Sequence, residues 1–159
     1  MIKNIDHNCK TVLNVGCGIA ASHLSYKADY YGVDVTPKFV AEAHRRGANV
    51  QVSSILNLPF KDNCFECVCC ENLLVHLPPG LWKSALNEMF RVASKLVVTN
   101  EPQWKKETVY RIGEHYEADI KFYLNDYGES EVLEFLKEKG LREVCCCRNL
   151  GWQVTLMYL

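Results

Sequence analysis

Residues 11–36 read TVLNVGCGIAASHLSYKADYYGVDVT, and the order of features in this stretch decides the fold class. Two short apolar runs, Thr11–Val15 and Tyr30–Asp34, have the length and composition of buried strands. Gly16 stops the first run, while the second is followed by Thr36-Pro37, a cap residue and a proline that are typical of a helix start. The stretch therefore predicts a strand, a glycine turn, a second strand and then a helix.

The glycine turn Gly16-Cys17-Gly18 is the sharpest chemical feature of the chain. Glycines let the backbone approach a ligand without a Cβ in between, and we expect a helix after the turn whose free N–H groups face a ligand anion. Asp34 lies 18 residues after Gly16, where nucleoside-binding α/β sheets place a carboxylate for the ribose hydroxyls. Turn and carboxylate together predict a nucleoside cofactor. Gly16-x-Gly18-x-x-Ala21 also fits a dinucleotide fingerprint, so these residues alone leave the nucleoside open.

The rest of the chain continues the alternation of apolar runs and amphipathic stretches. We predict strands at Asn49–Ser53, Phe65–Glu71, Lys95–Thr99, Leu141–Cys147 and Trp152–Tyr158, and helices at Pro37–Arg46, Pro78–Arg91 and Ser130–Lys139. Strands that alternate with helices favour a mostly parallel, seven-stranded α/β sheet with helices on both faces. The last two strands are joined only by Arg148–Gly151, which predicts an antiparallel hairpin at one edge. We expect a single domain over residues 1–159.

Composition excludes several classes of protein. The 159 residues carry 18 Lys+Arg against 19 Asp+Glu, a formal net charge of −1, so the sequence shows no basic surface for nucleic acid. A run of about 18 apolar residues, as a membrane span requires, is missing. The polar start MIKNIDHNCK also lacks the apolar core of a secretion signal. We therefore expect a cytoplasmic protein without a nucleic-acid or membrane partner.

Nine cysteines, an odd number, fall mostly into two clusters, Cys64–Cys70 and Cys145–Cys147. Without a secretion signal, free thiols in a reducing compartment are the expectation. A zinc site would need ligands that converge tetrahedrally, whereas neighbouring cysteines on a strand point to opposite faces. We therefore predict small buried apolar side chains and no metal site.

Four segments resemble the class I S-adenosylmethionine-dependent methyltransferases, in particular the type-11-like group. They are TVLNVGCGIA, YYGVDVTPKFV, LNLPFKDNCFECVCCENLLVHLPP and LNEMFRVASKLVVTNEP, and they cover about residues 11–102. The LPF-x-D-x-x-F block, followed by His76-Leu77 and then Met89-Phe90-Arg91-Val92, is the most specific part. The resemblance implies a Rossmann-like fold, S-adenosylmethionine as cofactor with S-adenosylhomocysteine as product, and methyl transfer as the reaction.

The resemblance also implies a cofactor-binding set at the ends of the first four strands: Asn14, Gly16, Cys17, Gly18, Asp34, Val35, Ser54, Ile55, Glu71 and Asn72. The glycine turn would pass under the methionine part, Asp34 would hold the ribose hydroxyls and Val35 would pack on the adenine. Ser54 and Ile55 occupy the place of residues that grip the adenine edge. Glu71 and Asn72 would lie beside the sulfonium.

Three positions depart from the family pattern. Asn14 stands where an acidic residue is usual, which removes a charge that favours the ammonium end of the cofactor. Ala20 replaces a third glycine, and Ser54 replaces the acid that binds adenine. Each lost charge-assisted hydrogen bond would cost about 1–3 kcal/mol, so weak cofactor binding or lost activity are both open.

Methyl transfer needs mainly in-line positioning and exclusion of water, and it needs a base only when the nucleophile arrives protonated. His76 is the candidate catalytic base, because it follows the fourth strand and an unperturbed histidine titrates near neutral pH. The alternative is a histidine that packs against or caps the turn before Pro78-Pro79.

The methyl acceptor is predicted to be a small molecule, since Glu71-Asn72-Leu73-Leu74 replaces the Asn/Asp-Pro-Pro-aromatic motif of the exocyclic-amino methyltransferases, and a protein acceptor is the alternative that stays open. Residues 100–128, with a helix expected near Gln103–Gly113, form the expected substrate-side segment. Ten residues precede the first strand, so three alternatives are left for the site: it is open, it is completed by a second copy, or it is completed by a different subunit. A catalytically silent cofactor-binding or scaffolding subunit is the alternative function, and an NAD-dependent oxidoreductase is a third.

Overall fold

Seven strands form one sheet in the computed structural model, which describes residues 9–78, 80–102, 134–141, 143–149 and 152–159. In chain order the strands are β1 (Thr11–Val15), β2 (Asp29–Asp34), β3 (Val50–Val52), β4 (Phe65–Glu71), β5 (Ala93–Pro102), β6 (Glu143–Asn149) and β7 (Trp152–Tyr158). The described part also contains the α-helices α1 (Pro37–Arg45) and α2 (Trp82–Val92) and the 3-10 turns His23–Ser25 and Leu74–His76. Residues 134–137 are helical as well.

The strand order is β3-β2-β1-β4-β5-β7-β6. All pairs from β3 to β5 are parallel, whereas β7 runs antiparallel to β5 and to β6. The predicted Rossmann-like sheet with an antiparallel hairpin at one edge is confirmed. The order reverses direction at β1, which lies between β2 and β4, and open α/β sheets bind ligands outside the carboxyl ends of the strands at such a point. The ends of β1, β2 and β4 are therefore where a site is expected.

Alternation along the strands sends apolar side chains to both faces of the sheet. On one face, Leu13 and Val15 of β1 pack in a core that includes Met89 of α2. On the other face, Val12 packs with Cys67 and Cys69 of β4, and α1 covers the neighbouring β2–β3 end. We call these the α2 face and the α1 face.

The cysteines of β4 follow the same alternation. Cys67 and Cys69 are buried on the α1 face, and Cys70 is buried on the α2 face. Within the described ranges, no three metal-ligating side chains come together; for Cys145–Cys147 the structure describes the backbone and not the side chains. Among the helices that the structure describes, none has the length and apolar character needed to cross a membrane.

Most predicted element bounds agree with the structure. The ranges of β1, β4 and β7 coincide with the predicted strands, and α1 ends one residue before its predicted end. The helix predicted over Pro78–Arg91 begins later, at Trp82, because Gly80 has a φ of +84° and a residue in the left-handed region interrupts a right-handed helix. The segment 103–133, with the helix expected near Gln103–Gly113, lies outside the described residues.

The helix expected directly after the glycine turn does not form, and that prediction was wrong. The chain between Gly18 and β2 contains only the 3-10 turn His23–Ser25. Ala20 has a φ of +50°, and a non-glycine residue in the left-handed region interrupts a right-handed helix. The His23 ring then donates from Nδ1 to the Ala20 carbonyl at 2.8 Å, which closes the chain into a turn instead.

Arg91 of α2 holds the loop between β3 and β4. Its guanidinium donates to the carbonyl oxygens of Leu58 at 2.9 Å and Phe60 at 2.8 Å. It also pairs with Asp62 at 2.8 Å and with Glu88 at 2.7 Å, and Glu88 accepts the Leu58 N–H at 2.8 Å. The LPF-x-D block and the Arg91 segment, which carried the family resemblance, are therefore two halves of one structural clamp.

Replacing Arg91 by Lys should lower the free energy of unfolding by about 1–3 kcal/mol, because lysine keeps the charge but lacks the planar fork that serves several acceptors at once. Urea denaturation followed by circular dichroism measures the loss. Arg45→Lys is the matched control, since exposed Arg45 pairs only with Glu42 among the described contacts and such pairs contribute about 0–1 kcal/mol. Equal losses of unfolding free energy in the two variants would contradict the stabilising role of the Arg91 clamp.

Candidate cofactor site

The glycine turn leaves β1 at the switch point with both glycines in the left-handed region. Gly16 has a φ of +70° and Gly18 a φ of +54°. The N–H groups of Gly16 and Cys17 donate to the Val33 carbonyl at 2.8 and 3.0 Å, which fixes the turn to β2. A Cβ on Gly16 would lie 2.8 Å from the Leu73 side chain, whereas a Cβ on Gly18 would meet nothing within 4 Å. Gly18 therefore presents open backbone that a ligand can approach.

Asp34 joins the glycine turn to the end of β2. Its Oδ2 accepts the Gly18 N–H at 2.9 Å and its Oδ1 accepts the Thr36 N–H at 2.8 Å. The residue is 9% exposed, and each carboxylate oxygen can accept a second hydrogen bond. The structure thus places Asp34, the residue predicted to bind the ribose, against the turn. Its carboxylate keeps acceptor capacity for hydroxyl groups.

Exposed apolar side chains adjoin Asp34. Val35 follows Asp34 in the chain and is 70% exposed. Val52 is the partner of Asp34 in the β2–β3 register and is 52% exposed. Leu56 in the following loop is 37% exposed. Single exposed apolar residues are common, but three at one corner of the sheet form a surface suited to an aromatic base.

Ser54 and Ile55, both predicted at the adenine edge, differ in accessibility. Ser54 is exposed, and its Oγ accepts the Leu56 N–H at 3.2 Å. The Ile55 side chain is buried at 6% exposure in the core of the α2 face. Ser54 therefore remains available to a ligand at this corner, whereas the Ile55 side chain serves the core.

Glu71 and Asn72 end β4 next to the turn, as predicted. Both are exposed, and the Glu71 Oε1 accepts a hydrogen bond from the Asn100 side chain at 2.8 Å. Asn72 has a φ of +51°, a conformation that asparagine tolerates better than most residues, and its N–H donates to the Asn100 carbonyl at 2.8 Å. Buried Asn100 on β5 thus holds this pair in place.

Glu101, which the sequence analysis did not assign, organises the 3-10 turn after β4. Its carboxylate accepts the N–H groups of Leu73 and Leu74 at 3.1 Å and of Val75 at 3.3 Å. Burial raises the pKa of the Glu101 carboxyl, and the three N–H donors oppose that shift. In the sequence, Glu101 could be noticed as an acidic residue near the end of a strand. Its role could not be predicted, because its hydrogen-bond partners lie 26 to 28 residues earlier in the chain.

The neutral residue at position 14 belongs to a hydrogen-bonded group under the turn. Asn14 Nδ2 donates to the Tyr30 hydroxyl at 3.3 Å, and the same hydroxyl interacts with the Cys17 thiol. Gly32 leaves room for both, since a Cβ there would lie 2.9 Å from Cys17 Sγ and 3.1 Å from Tyr30 Oη. Burial, with a further contribution from Asp34, raises the pKa of the Cys17 thiol to about 12, so this cysteine is protonated at neutral pH.

His76 closes the 3-10 turn that Glu101 caps, at the same end of the sheet as the other candidates. The side chain is half-buried, and burial lowers the pKa of its imidazole. A lowered pKa favours the neutral ring, which is the form that accepts a proton. The position is compatible with the predicted base.

Comparison with known proteins identifies relatives. Residues 13–96 match the model of a methyltransferase domain family. An uncharacterized protein of Methanocaldococcus jannaschii is 30% identical over 105 residues; the match covers 62% of this chain and 45% of that protein, so the chain spans less than half the length of this relative.

Solved structures share the fold. A magnesium protoporphyrin IX methyltransferase of Synechocystis PCC 6803 with bound S-adenosylhomocysteine has a TM-score of 0.72 at 16% identity, covering 98% of this chain and 77% of that one. A complex of the Haloferax volcanii Trm112 methyltransferase activator with its methyltransferase has a TM-score of 0.71 at 15% identity, covering 94% of this chain and 81% of that one. At such identities the likeness is one of fold.

The family match agrees with the predicted methyltransferase family, and the Synechocystis protein of similar fold has been solved with S-adenosylhomocysteine and with S-adenosylmethionine bound. The matched range contains the glycine turn, Asp34, the clamp around Arg91 and the end of β4. Because that range is more than half of the 159 residues and the fold it implies is the one observed, the chain belongs to the methyltransferase domain family.

Proposed function

We propose that this chain is an S-adenosylmethionine-dependent methyltransferase that acts on a small molecule. The observation that carries the proposal is the open backbone at Gly18 beside the Asp34 carboxylate, at the switch point of a methyltransferase-family sheet. A Cβ-free cradle next to a carboxylate and an exposed apolar corner fits a ligand with a polar tail, a ribose and an aromatic base.

In this proposal, different residues would bind different parts of the cofactor. Gly16 to Gly18 would carry the methionine part, Asp34 would accept the ribose hydroxyls, and Val35 would pack on the adenine with Ser54 at its edge. Glu71 and Asn72 would flank the sulfonium end. When bound, the cofactor supplies an electrophilic methyl group on a good leaving group, so these residues serve chiefly to fix the reacting atoms in line.

His76 would accept the proton of an acceptor that arrives protonated. Its half-buried imidazole is held by a turn that Glu101 anchors at three backbone N–H groups. Because burial lowers the pKa of His76, the ring favours its neutral form, which is the form that can accept a proton. The small-molecule acceptor is supported by the net charge of −1, which gives no basic surface for nucleic acid.

A catalytically silent cofactor-binding subunit is the second candidate. Two observations favour it: the neutral Asn14, which is engaged with Tyr30, and a similar solved structure in which a methyltransferase is complexed with an activator protein. In that case a second copy or a partner subunit would complete the site. Cofactor binding without methyl transfer, in a screen of small-molecule acceptors, would distinguish this candidate from the first.

The first experiment is a calorimetric titration of the protein with S-adenosylhomocysteine, with NAD titrated in parallel. The proposal expects binding in the micromolar range for the first ligand and no heat for the second. Binding of NAD alone would overturn the proposal in favour of an oxidoreductase. Silence from both ligands would remove the cofactor site altogether.

Asp34→Ala should weaken S-adenosylhomocysteine binding about tenfold or more, because a charged acceptor of the ribose hydroxyls is lost. Asp34 also holds the turn, so the ligand must be varied as well as the protein. Wild type should prefer S-adenosylhomocysteine over its 2′-deoxy analogue, and the Asp34→Ala variant should bind the two equally. A ribose preference that survives the substitution would show that Asp34 is not the ribose ligand.

Gly18→Ala should weaken S-adenosylhomocysteine binding about tenfold or more, because the new Cβ enters the space that the ligand would occupy; the left-handed backbone adds about 1–2 kcal/mol of strain. Gly47→Ala is the matched control: its φ is +80°, it is equally open, and it lies after α1 at the other end of the sheet. Both variants should lose similar thermal stability, but only Gly18→Ala should lose affinity. Equal affinities would place the ligand elsewhere.

A further inference from the structure

The missing acid at position 14 raises the question of what balances the ammonium group of the cofactor's methionine part. Asn14 carries no charge, and its amide nitrogen donates to the Tyr30 hydroxyl. The described residues place three carboxylates at the carboxyl ends of β2, β4 and β5, namely Asp34, Glu71 and Glu101. Their contacts differ, and among the described residues Glu71 has a carboxylate oxygen that accepts no hydrogen bond.

Two of these carboxylates are committed. Asp34 uses both oxygens on the backbone N–H groups of Gly18 and Thr36. Glu101 is turned into the 3-10 turn, where it accepts three backbone N–H groups and the Cys70 thiol. The acceptor capacity left on Asp34 is assigned to the ribose hydroxyls, and Glu101 would have to give up its contacts with the 3-10 turn to reach an ammonium group at the glycine turn.

Glu71 lies on the correct face for the missing charge. Asn14 is the register partner of Cys69, and Cys69 and Glu71 alternate with Cys70, so Asn14 and Glu71 share the α1 face. Val15 is the register partner of Cys70, so Glu71 sits beside Gly16, the first residue of the turn. The carboxylate is thus one strand away from the position that the acid would have held.

The Glu71 side chain is anchored by the neighbouring strand β5. Buried Asn100, 2% exposed, donates to its Oε1 at 2.8 Å, and no bond to Oε2 is found among the described residues. The side chain is exposed, so the carboxylate is fixed at one oxygen and accessible at the other. An anchored carboxylate of this kind is a strong partner for an ammonium donor.

We propose that Glu71 binds the α-ammonium group of the cofactor and replaces the acid that Asn14 has lost. The inference rests on the proposed function. It changes the role given to Glu71 above, from flanking the sulfonium to binding the ammonium group at the amino-acid end of the ligand, and gives Asn100 the role of a positioning residue behind it. It also explains how the site retains its charge balance with a neutral residue on β1.

The test compares two ligands on three proteins by calorimetry: S-adenosylhomocysteine, which carries the ammonium group, and 5′-methylthioadenosine, which lacks the amino-acid part. Glu71→Gln should weaken binding of the first about tenfold and leave the second unchanged. Gln keeps an oxygen for Asn100, so the fold should survive, and a thermal melt checks this. Glu138→Gln, an exposed glutamate after the helical residues 134–137, is the control and should bind both ligands as wild type does.

Asn14→Asp introduced into the Glu71→Gln protein should recover part of the lost affinity for S-adenosylhomocysteine, because it restores a carboxylate on the same face. An unchanged affinity in Glu71→Gln would overturn the inference and leave the proposed function intact. Equal weakening of both ligands would also overturn it, since that pattern marks a structural role. Failure of wild type to bind either ligand would overturn the proposed function, and the inference with it.

Discussion

The carboxylate of Asp34 is the contact on which the candidate site depends. It accepts one N–H from the glycine turn and one from the start of α1, so the end of β1, the end of β2 and the first helix meet at one side chain. A carboxylate suits this place because it is acceptor-only and offers two oxygens to converging donors. The contact that shapes the turn and the contact expected for the ribose are therefore made by the same group.

Sequence patterning predicted the sheet well because each strand is specified locally. The apolar runs of β1, β4 and β7 are bounded by glycines, polar loops or turns, and their predicted and observed ranges coincide. Gly16, Gly18 and Asp34 could be placed in the fold for the same reason, since they stand directly at strand ends. The helix predicted after the turn does not form, because Ala20 adopts a left-handed conformation. An alanine in the sequence gives no sign of that conformation.

Long-range contacts were the part that patterning could not supply. Glu101 caps a turn whose N–H groups belong to residues 26 to 28 positions earlier, and Arg91 clamps a loop about 30 positions before it. Neither pairing has a local periodicity, so neither could be derived from one sequence. The segment around Arg91 was part of the family resemblance. In the structure its contacts hold the loop between β3 and β4, so this segment stabilises the fold and is assigned no part in the reaction.

The cysteines at and near the candidate site also belong to the packing of the fold and not to the proposed reaction. Burial raises the pKa of the Cys69 thiol to about 12 and that of Cys70 well above its ordinary value, so both are neutral packing groups on opposite faces of β4. Cys17 lies within the glycine turn, yet its raised pKa makes it a poor nucleophile as well. The chemistry proposed for the candidate site therefore requires only backbone N–H groups, carboxylates and the imidazole of His76. A reaction whose electrophile is already activated requires little more than that set, provided that the site holds its partners in line.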